Sequence, residues 1–357
     1  MKTLRVLVVD DSALNRRMLA EVLRGYEGVE VAGSAADGEQ ALRMADELRP
    51  DLITLDLEMP RMDGFTFLRL LLAKHPTPVI VISSHSDKDK VFRALELGAI
   101  DFIAKPPVSG QPESAESSMP AGAALIRAQL EPMIDMVRQL TPAKLQLQRR
   151  ALSIPAPSVR PPAPSTLPSP IVAIAASTGG PSALMELFAG LPELGNGALV
   201  VAQHMPERFT RTFAERLDKQ GSFRVAEAEH GGELSPHGAL ICPGGRCLEL
   251  ERRGQRLVAR VVHPARDDRY APSADRLFRN VARIAGRNAI GVVLTGMGED
   301  GAKGVVAIKA AGGYVLAETE ESAVVYGMPR AAVQTGCVDE TLPLAALIAR
   351  VGQLLAS

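Results

Sequence analysis

Short, continuous apolar runs alternate with stretches of helical periodicity along most of the chain. In the first third, residues 4–9, 29–32, 52–57, 79–82 and 102–104 read as strands, while Leu14/Met18/Val22, Phe65/Leu68/Leu72 and Val91/Leu95 mark the buried stripes of helices between them. Strands apolar on both faces and separated by helices predict a parallel sheet covered on both sides. A further helix is expected over residues 121–131, with Pro132 and Pro142 interrupting the stretch after it. The alternation resumes with strands expected at 171–176, 198–203, 224–228, 289–295 and 314–317 and helices at 182–189, 208–218, 273–285, 301–310 and 342–355. Between 238 and 262 the runs 239–241, 248–250 and 257–262 suggest an antiparallel hairpin or edge inserted into a mostly parallel sheet.

The two patterned regions are separated by a Pro-, Ser- and Ala-rich stretch that holds Pro155, Pro157, Pro161, Pro162, Pro164 and Pro168. Proline fixes φ and removes a donor, so this stretch reads as a semi-rigid extended linker. The expected organisation is a domain over 1–140, a linker over 141–169 and a second domain over 170–357, which suits a chain of 357 residues. No internal repeat is found.

Composition narrows the function. A formal net charge of −1 removes any general electrostatic reason to expect a nucleic acid or membrane surface as partner. The three cysteines, Cys242, Cys247 and Cys337, lack common zinc or redox-pair spacing and read as free thiols in a reducing compartment. The run 4–9 is broken too early by Asp10-Asp11 to be a signal-peptide core, and nowhere do about 18 apolar residues run together. A soluble, cytoplasmic protein is expected.

Candidate chemistry sits at strand ends. Asp10 and Asp11 close the first strand, and Asp56 closes the strand that leads into Asp56-Leu57-Glu58-Met59-Pro60-Arg61-Met62-Asp63-Gly64. Three carboxylates converging on one sheet edge repel one another and call for a cation; Mg²⁺ suits them because it is hard and takes oxygen ligands. Lys105, followed by Pro106, adds a point charge able to pair with a phosphoryl oxygen, and the Ser83 hydroxyl can report on one. A lone Asp at a strand end is usually a cap or a solvated acid, but the joint pattern suits phosphoryl transfer to Asp56.

In the second half, Ala176-Ser177-Thr178-Gly179-Gly180-Pro181 joins a strand to a helix. A nucleophilic serine beside a helix N-terminus and a phosphate-cradling loop fit it equally, and a plain turn stays open. His204, at the end of the next strand and before Met205-Pro206, favours the nucleophile, because it projects from a strand end as a general base can. The other histidines, at 75, 85, 230, 237 and 263, show no paired metal-ligand spacing. Asp300, in Leu294-Thr295-Gly296-Met297-Gly298-Glu299-Asp300-Gly301, can fix the imidazole tautomer, or simply cap the helix that begins at Gly301.

The first constellation resembles the receiver domain of bacterial response regulators over residues 1–106. The segments Ala-Ser-Thr-Gly-Gly, Gln-His-Met-Pro-Glu-Arg-Phe-Thr, Pro-Ser-Ala-Asp-Arg-Leu-Phe, Gly-Val-Val-Leu-Thr-Gly-Met-Gly-Glu-Asp-Gly and Val-Val-Tyr-Gly-Met-Pro-Arg resemble the catalytic domain of the chemotaxis protein-glutamate methylesterase (CheB) family over about 170–355. The resemblance implies an α/β chain with a flavodoxin-like, five-stranded, doubly wound receiver. A mostly parallel, doubly wound α/β esterase domain with a short antiparallel insertion comes after it. It implies Mg²⁺ held by Asp11 and Asp56 with Asp10 assisting, phosphorylation of Asp56 by a histidine kinase, and Ser83, Phe102 and Lys105 as switch residues. It also implies Ser177 as nucleophile, His204 as base, Asp300 as orienting acid, and Thr178 and Met297 at the oxyanion site, with no cofactor for the ester chemistry. The chain departs from the pattern at Ala175, where the family usually has Gly, and before Pro272-Ser273, where an Arg is expected.

The expected activity is hydrolysis of glutamate γ-methyl esters, and deamidation of specific glutamines, on methyl-accepting chemoreceptors, with neither nucleic-acid binding nor membrane insertion. The unphosphorylated receiver is expected to block the esterase edge. Two other classes are weighed against this: a nucleotide- or phosphate-binding domain, which a serine-directed phosphonate would discriminate, and a transcriptional regulator, for which the second half is too long and too rich in buried strands.

Overall fold

The computed structural model describes residues 3–83, 88–105, 121–140, 167–192 and 195–356, so that Pro106, His85 and most of the expected linker lie outside the described residues. The chain divides into two compact units, Met1–Leu152 and Ser153–Ser357.

The first unit runs β1 (Leu4–Val9), α1 (Ala13–Arg24), β2 (Val29–Ala35), α2 (Gly38–Leu48), β3 (Leu52–Leu55), α3 (Gly64–Lys74), β4 (Val79–Ser83), α4 (Lys88–Glu96), β5 (Asp101–Ala104) and α5 (Ala121–Gln139). Its sheet has five strands in the order β2-β1-β3-β4-β5, each pair parallel. Residues of β3, β4 and β5 are all buried, which is why these segments read as unbroken apolar runs. Short polar side chains start the helices: Ser12 accepts from Asn15 N, Asp37 from Gln40 N and Asp63 from Thr66 N. Two details differ from the sequence reading. Helix α2 carries only a weak apolar stripe, although Asp37 and Gln40 form a capping pair in which Gln40 Oε1 accepts from Ala36 N at 2.9 Å. Helix α5 continues through Pro132 to Gln139, held by the buried Ile126, Leu130, Met133, Ile134 and Val137, so packing outweighs the loss of one backbone donor.

The second unit is built on seven parallel strands in the order β14-β13-β12-β6-β7-β9-β8. These are β6 (Ile171–Ala176), β7 (Ala198–Gln203), β8 (Arg224–Glu227), β9 (Gly238–Ile241), β12 (Ala289–Val293), β13 (Tyr314–Glu318) and β14 (Glu340–Leu342). Helices α6 (Gly180–Gly190), α7 (Glu207–Gln220), α8 (Ala274–Ala285), α9 (Ala302–Ala310), α10 (Met328–Gln334) and α11 (Leu344–Ala356) connect and cover them. The expected antiparallel insertion is present as β10 (Cys247–Arg253) and β11 (Arg256–Val262), but it forms a sheet of its own, and β9 pairs parallel within the main sheet. The hairpin lies against α8 because Leu248, Leu250, Leu257 and Ala259 share one core with Leu277, Phe278 and Val281. Asn280 of α8 replaces a missing strand partner: its Oδ1 accepts from Leu250 N at 2.7 Å and its Nδ2 donates to Leu250 O at 3.1 Å.

On the sheet itself, Ile171, Ala173 and Ala175 of β6, Val200 and Ala202 of β7 and Val293 of β12 belong to that same core. Ala175 is fully buried there, so the departure from the usual Gly is absorbed by packing. Among the described residues no helix is long and apolar enough to cross a membrane.

Candidate functional sites

Four neighbouring strands of the first sheet deliver the acidic constellation. Asp10 follows β1 and Asp56 follows β3, while Ser83 ends β4 and Lys105 follows β5. Ladder bonds continue one step past the strands and fix these positions: Asp10 N donates to Ala35 O, Asp56 N to Val9 O at 2.8 Å and Lys105 N to Ser83 O at 2.8 Å. One carboxylate oxygen each from buried Asp10, exposed Asp11 and buried Asp56 lie within 4.8 Å of one another. Lys105 Nζ bridges two of them, at 2.9 Å from Asp10 Oδ2 and 2.5 Å from Asp56 Oδ2.

Burial pushes the Asp10 carboxyl up against the pull of the Lys105 ammonium. Burial alone would push Lys105 down, but its hydrogen bond and charge contacts with Asp56 and Asp10 raise it. Gly64 lets α3 approach this edge, since a Cβ there would lie 2.5 Å from Asp56 O. The donor set, hard oxygens from three acids with one cation already drawn to them, fits a Mg²⁺ ion. Phe102 is buried and meets Phe92 edge-on, with ring centroids 6.3 Å apart.

In the second sheet the three polar residues leave adjacent central strands. Ser177 follows β6, which lies between β12 and β7; His204 follows β7, and Asp300 lies in the loop after β12. The chain winds from β6 outward through β7 and later returns to the opposite side at β12, so the site occupies a topological switch point.

His204 Nε2 lies 2.9 Å from Asp300 Oδ2. A carboxylate accepts only, so Nε2 carries the proton and Nδ1 is the nitrogen left to exchange one with a hydroxyl. Among the described residues the Ser177 hydroxyl has no hydrogen-bond partner, so the Ser177–His204 contact is not made in this conformation. Such contacts often tighten only with substrate bound.

Asp300, 2% exposed, is held by the first turn of α8: Ala274 N donates to Oδ2 at 2.8 Å and Asp275 N to Oδ1 at 3.0 Å. It therefore caps α8 and not the helix that comes next in sequence. That helix, α9, is served by Asp275, whose Oδ1 accepts from Gly301 N at 3.0 Å and Gly304 N at 2.7 Å. The two carboxylates thus cap each other's helices, and burial, with the charge of Asp300 adding to it, pushes Asp275 up.

The loop after β12 presses on the serine. Ser177 N donates to Thr295 O at 3.1 Å, and Thr295 Oγ1 donates to Thr178 O at 2.9 Å. A Cβ on Gly296 would stand 2.8 Å from Ser177 Cβ, so only glycine permits this approach. Met297, the next residue along the loop, is 37% exposed. Neither the Thr178 nor the Met297 amide donates to a protein acceptor among the described residues.

Comparison with known proteins gives this arrangement a lineage. The CheB methylesterase family matches residues 172–351, and the response regulator receiver domain family matches residues 6–111. The chain belongs to the CheB methylesterase family. It is 50% identical over 354 residues to "Protein-glutamate methylesterase/protein-glutamine glutaminase 6" of Anaeromyxobacter dehalogenans, covering 98% of this chain and 95% of that one. It is 47% identical to number 3 of that name in Geobacter sulfurreducens, covering 96% and 95%. The solved CheB methylesterase catalytic domain of Thermotoga maritima, 36% identical, covers 52% of this chain and 98% of its own with a TM-score of 0.50.

Within this CheB family fold, two residues at the edge that carries Ser177 and His204 were missed in the sequence. Gln203, buried at the end of β7, donates through Nε2 to both Ser177 O and His204 O at 2.9 Å, tying the serine loop to the histidine. Tyr270 stacks on the His204 ring. Gln203 could have been suspected as a polar residue closing a wholly apolar strand. Tyr270, alone in a polar loop, carries no periodic signal.

Proposed function

We propose that the chain is a phosphorylation-activated protein-glutamate methylesterase that also deamidates specific glutamines on methyl-accepting chemoreceptors. The observation that carries this reading is the His204–Asp300 hydrogen bond at strand ends that flank the strand leading to Ser177. In the first half of the reaction the Ser177 oxygen bonds to the ester carbonyl carbon while its proton passes to His204 Nδ1. Amides of Thr178 and Met297 receive the charge that develops on the carbonyl oxygen. The carbon–methoxyl bond then breaks, and methanol leaves with the proton from Nδ1. Water next gives a proton to Nδ1 and attacks the acyl carbon; the ester bond to Ser177 breaks and its oxygen recovers that proton, leaving glutamate. A glutamine amide passes through the same acyl-enzyme with ammonia as leaving group. Asp300 keeps the proton on Nε2 and stabilises the imidazolium.

In the receiver, Asp10, Asp11 and Asp56 would hold Mg²⁺, which would neutralise the carboxylates and the incoming phosphoryl oxygens. Asp56 accepts the phosphoryl group from a histidine kinase, and Lys105, Ser83 and Phe102 read the change. The protein acts in the cytoplasm, where the receptor helices and the kinase lie. Treatment with a serine-directed fluorophosphonate tests the chemistry. Labelling confined to Ser177 and lost in Ser177→Ala, with acetyl-phosphate labelling of Asp56 intact, is the expected result; a chain not labelled at Ser177 refutes the hydrolase.

A further inference from the structure

We infer that Tyr270 is a positioning residue for the general base, holding the plane of the His204 imidazole by stacking on its face. The inference rests on the hydrolase reading above and extends it to a residue outside the triad. The two rings lie 4.9 Å apart between centroids and 9° from parallel. One hydrogen bond, from Nε2 to Asp300, fixes one edge of the imidazole and leaves the ring free to swing about that edge. A planar partner against its face removes that freedom.

The imidazole must keep Nδ1 aimed in turn at the serine hydroxyl, the departing methanol and the incoming water, and it is cationic between these transfers. An aromatic face beside it stabilises that cation and keeps water from one side.

The loop that carries Tyr270 is registered against the loop that carries Asp300. The Tyr270 hydroxyl would lie 2.7 Å from a Cβ on Gly298, so the absence of a side chain there is what lets the ring reach the histidine. Arg269 stands 5.9 Å from the Tyr270 ring centroid, and its Nη1 pairs with Glu299 Oε1 at 2.5 Å. That ion pair is exposed, 71% for Arg269 and 61% for Glu299, so it guides the loop without anchoring it. The stack is the contact that matters.

The test compares Tyr270→Phe, Tyr270→Leu and Tyr270→Ala in the full-length chain. It uses a methyl-labelled receptor substrate, a small chromogenic ester and the rate of Ser177 phosphonylation. Phenylalanine keeps the ring and is expected within about 2-fold of wild type. Leucine fills a similar volume without a π face and is expected to lose kcat by roughly 30-fold, as alanine does, with KM unchanged. Arg269→Gln is expected within about 2-fold, because the exposed pair contributes little. Leucine activity equal to phenylalanine activity would mean simple packing, and a rise in KM alone would mean substrate contact; either overturns the inference. A wild-type chain that is not phosphonylated overturns the hydrolase reading and this inference together. Wild-type labelling matched by equally fast labelling of the leucine and alanine variants overturns the inference alone.

Discussion

Two parallel sheets in this chain present acids at their carboxyl edges, and they spend them differently. In the receiver, Asp10 and Asp56 turn oxygens toward Lys105 and toward each other, while Asp11 stays exposed beside them. Three carboxylates gather there around one ammonium, an arrangement that under the proposed function takes a cation and a phosphoryl group. In the esterase, the buried Asp300 gives its oxygens to two backbone N–H groups and one imidazole. Its oxygens have their partners within the protein itself, and under the proposed mechanism this lets Asp300 orient a base. Under the proposed roles, the same architecture yields a switch or a catalyst according to what the strand-end carboxylates already hold.

Crossing substitutions give the largest expected separation. Asp300→Asn should lower ester hydrolysis by about 10³-fold, because the amide cannot hold the imidazolium as a carboxylate does, and should leave Mg²⁺-dependent phosphorylation of Asp56 unchanged. Asp56→Asn should do the reverse, abolishing phosphorylation and leaving basal hydrolysis in place. Acetyl-phosphate labelling and ester turnover on the same preparations check both; a change in both activities from one substitution would break the distinction between the two edges.

A smaller effect is expected from Gly296→Ala. The added methyl would meet Met328 Sδ and would lie 2.8 Å from Ser177 Cβ, forcing the loop off Ser177. A loss of about 10- to 100-fold in kcat, with the receiver unaffected, is the expected result in steady-state kinetics.

The smallest effect concerns stability. Burial raises Asp275 above the usual carboxylate value of 3.8, so the folded chain keeps this proton to higher pH than the unfolded chain does. The stability this contributes is fully present below pH 3.8 and is lost as pH rises through the folded value. Asparagine keeps an acceptor for Gly301 and Gly304 and cannot ionise. The difference in unfolding free energy should therefore shift in favour of Asp275→Asn between acid and neutral pH. Urea unfolding across that range measures it; a shift in favour of aspartate would mean that the burial cost is not the controlling factor.

Most of the placement at these edges was legible in the sequence because parallel strands end together. A continuous apolar run closed by Ser177, His204 or Asp56 places that residue at the carboxyl edge without knowledge of the neighbouring strands. The features that could not be read depend on partners distant in sequence. Asp300 was read as an orienting acid, with a cap on the helix after it as the alternative, yet its N–H donors come from α8, which is unrelated to it in local pattern. The ring nitrogen that faces Asp300 depends on how β7 and β12 flank β6, which no spacing encodes. Tyr270 is a single aromatic in a polar loop, and β10–β11 alternated as an edge strand would, though its apolar face meets α8 instead of the sheet. Helix α2 was missed because its stripe rests on the small residues Ala41 and Ala45.

The central claim is that Ser177 hydrolyses a receptor ester under the control of Asp56. Methanol release from methyl-labelled receptor membranes by the full-length chain, with and without acetyl phosphate and Mg²⁺, tests it most directly. The account predicts release that rises with the phosphodonor, loses that rise in Asp56→Asn and vanishes in Ser177→Ala. Release that persists in Ser177→Ala, or that ignores the phosphodonor, would contradict it.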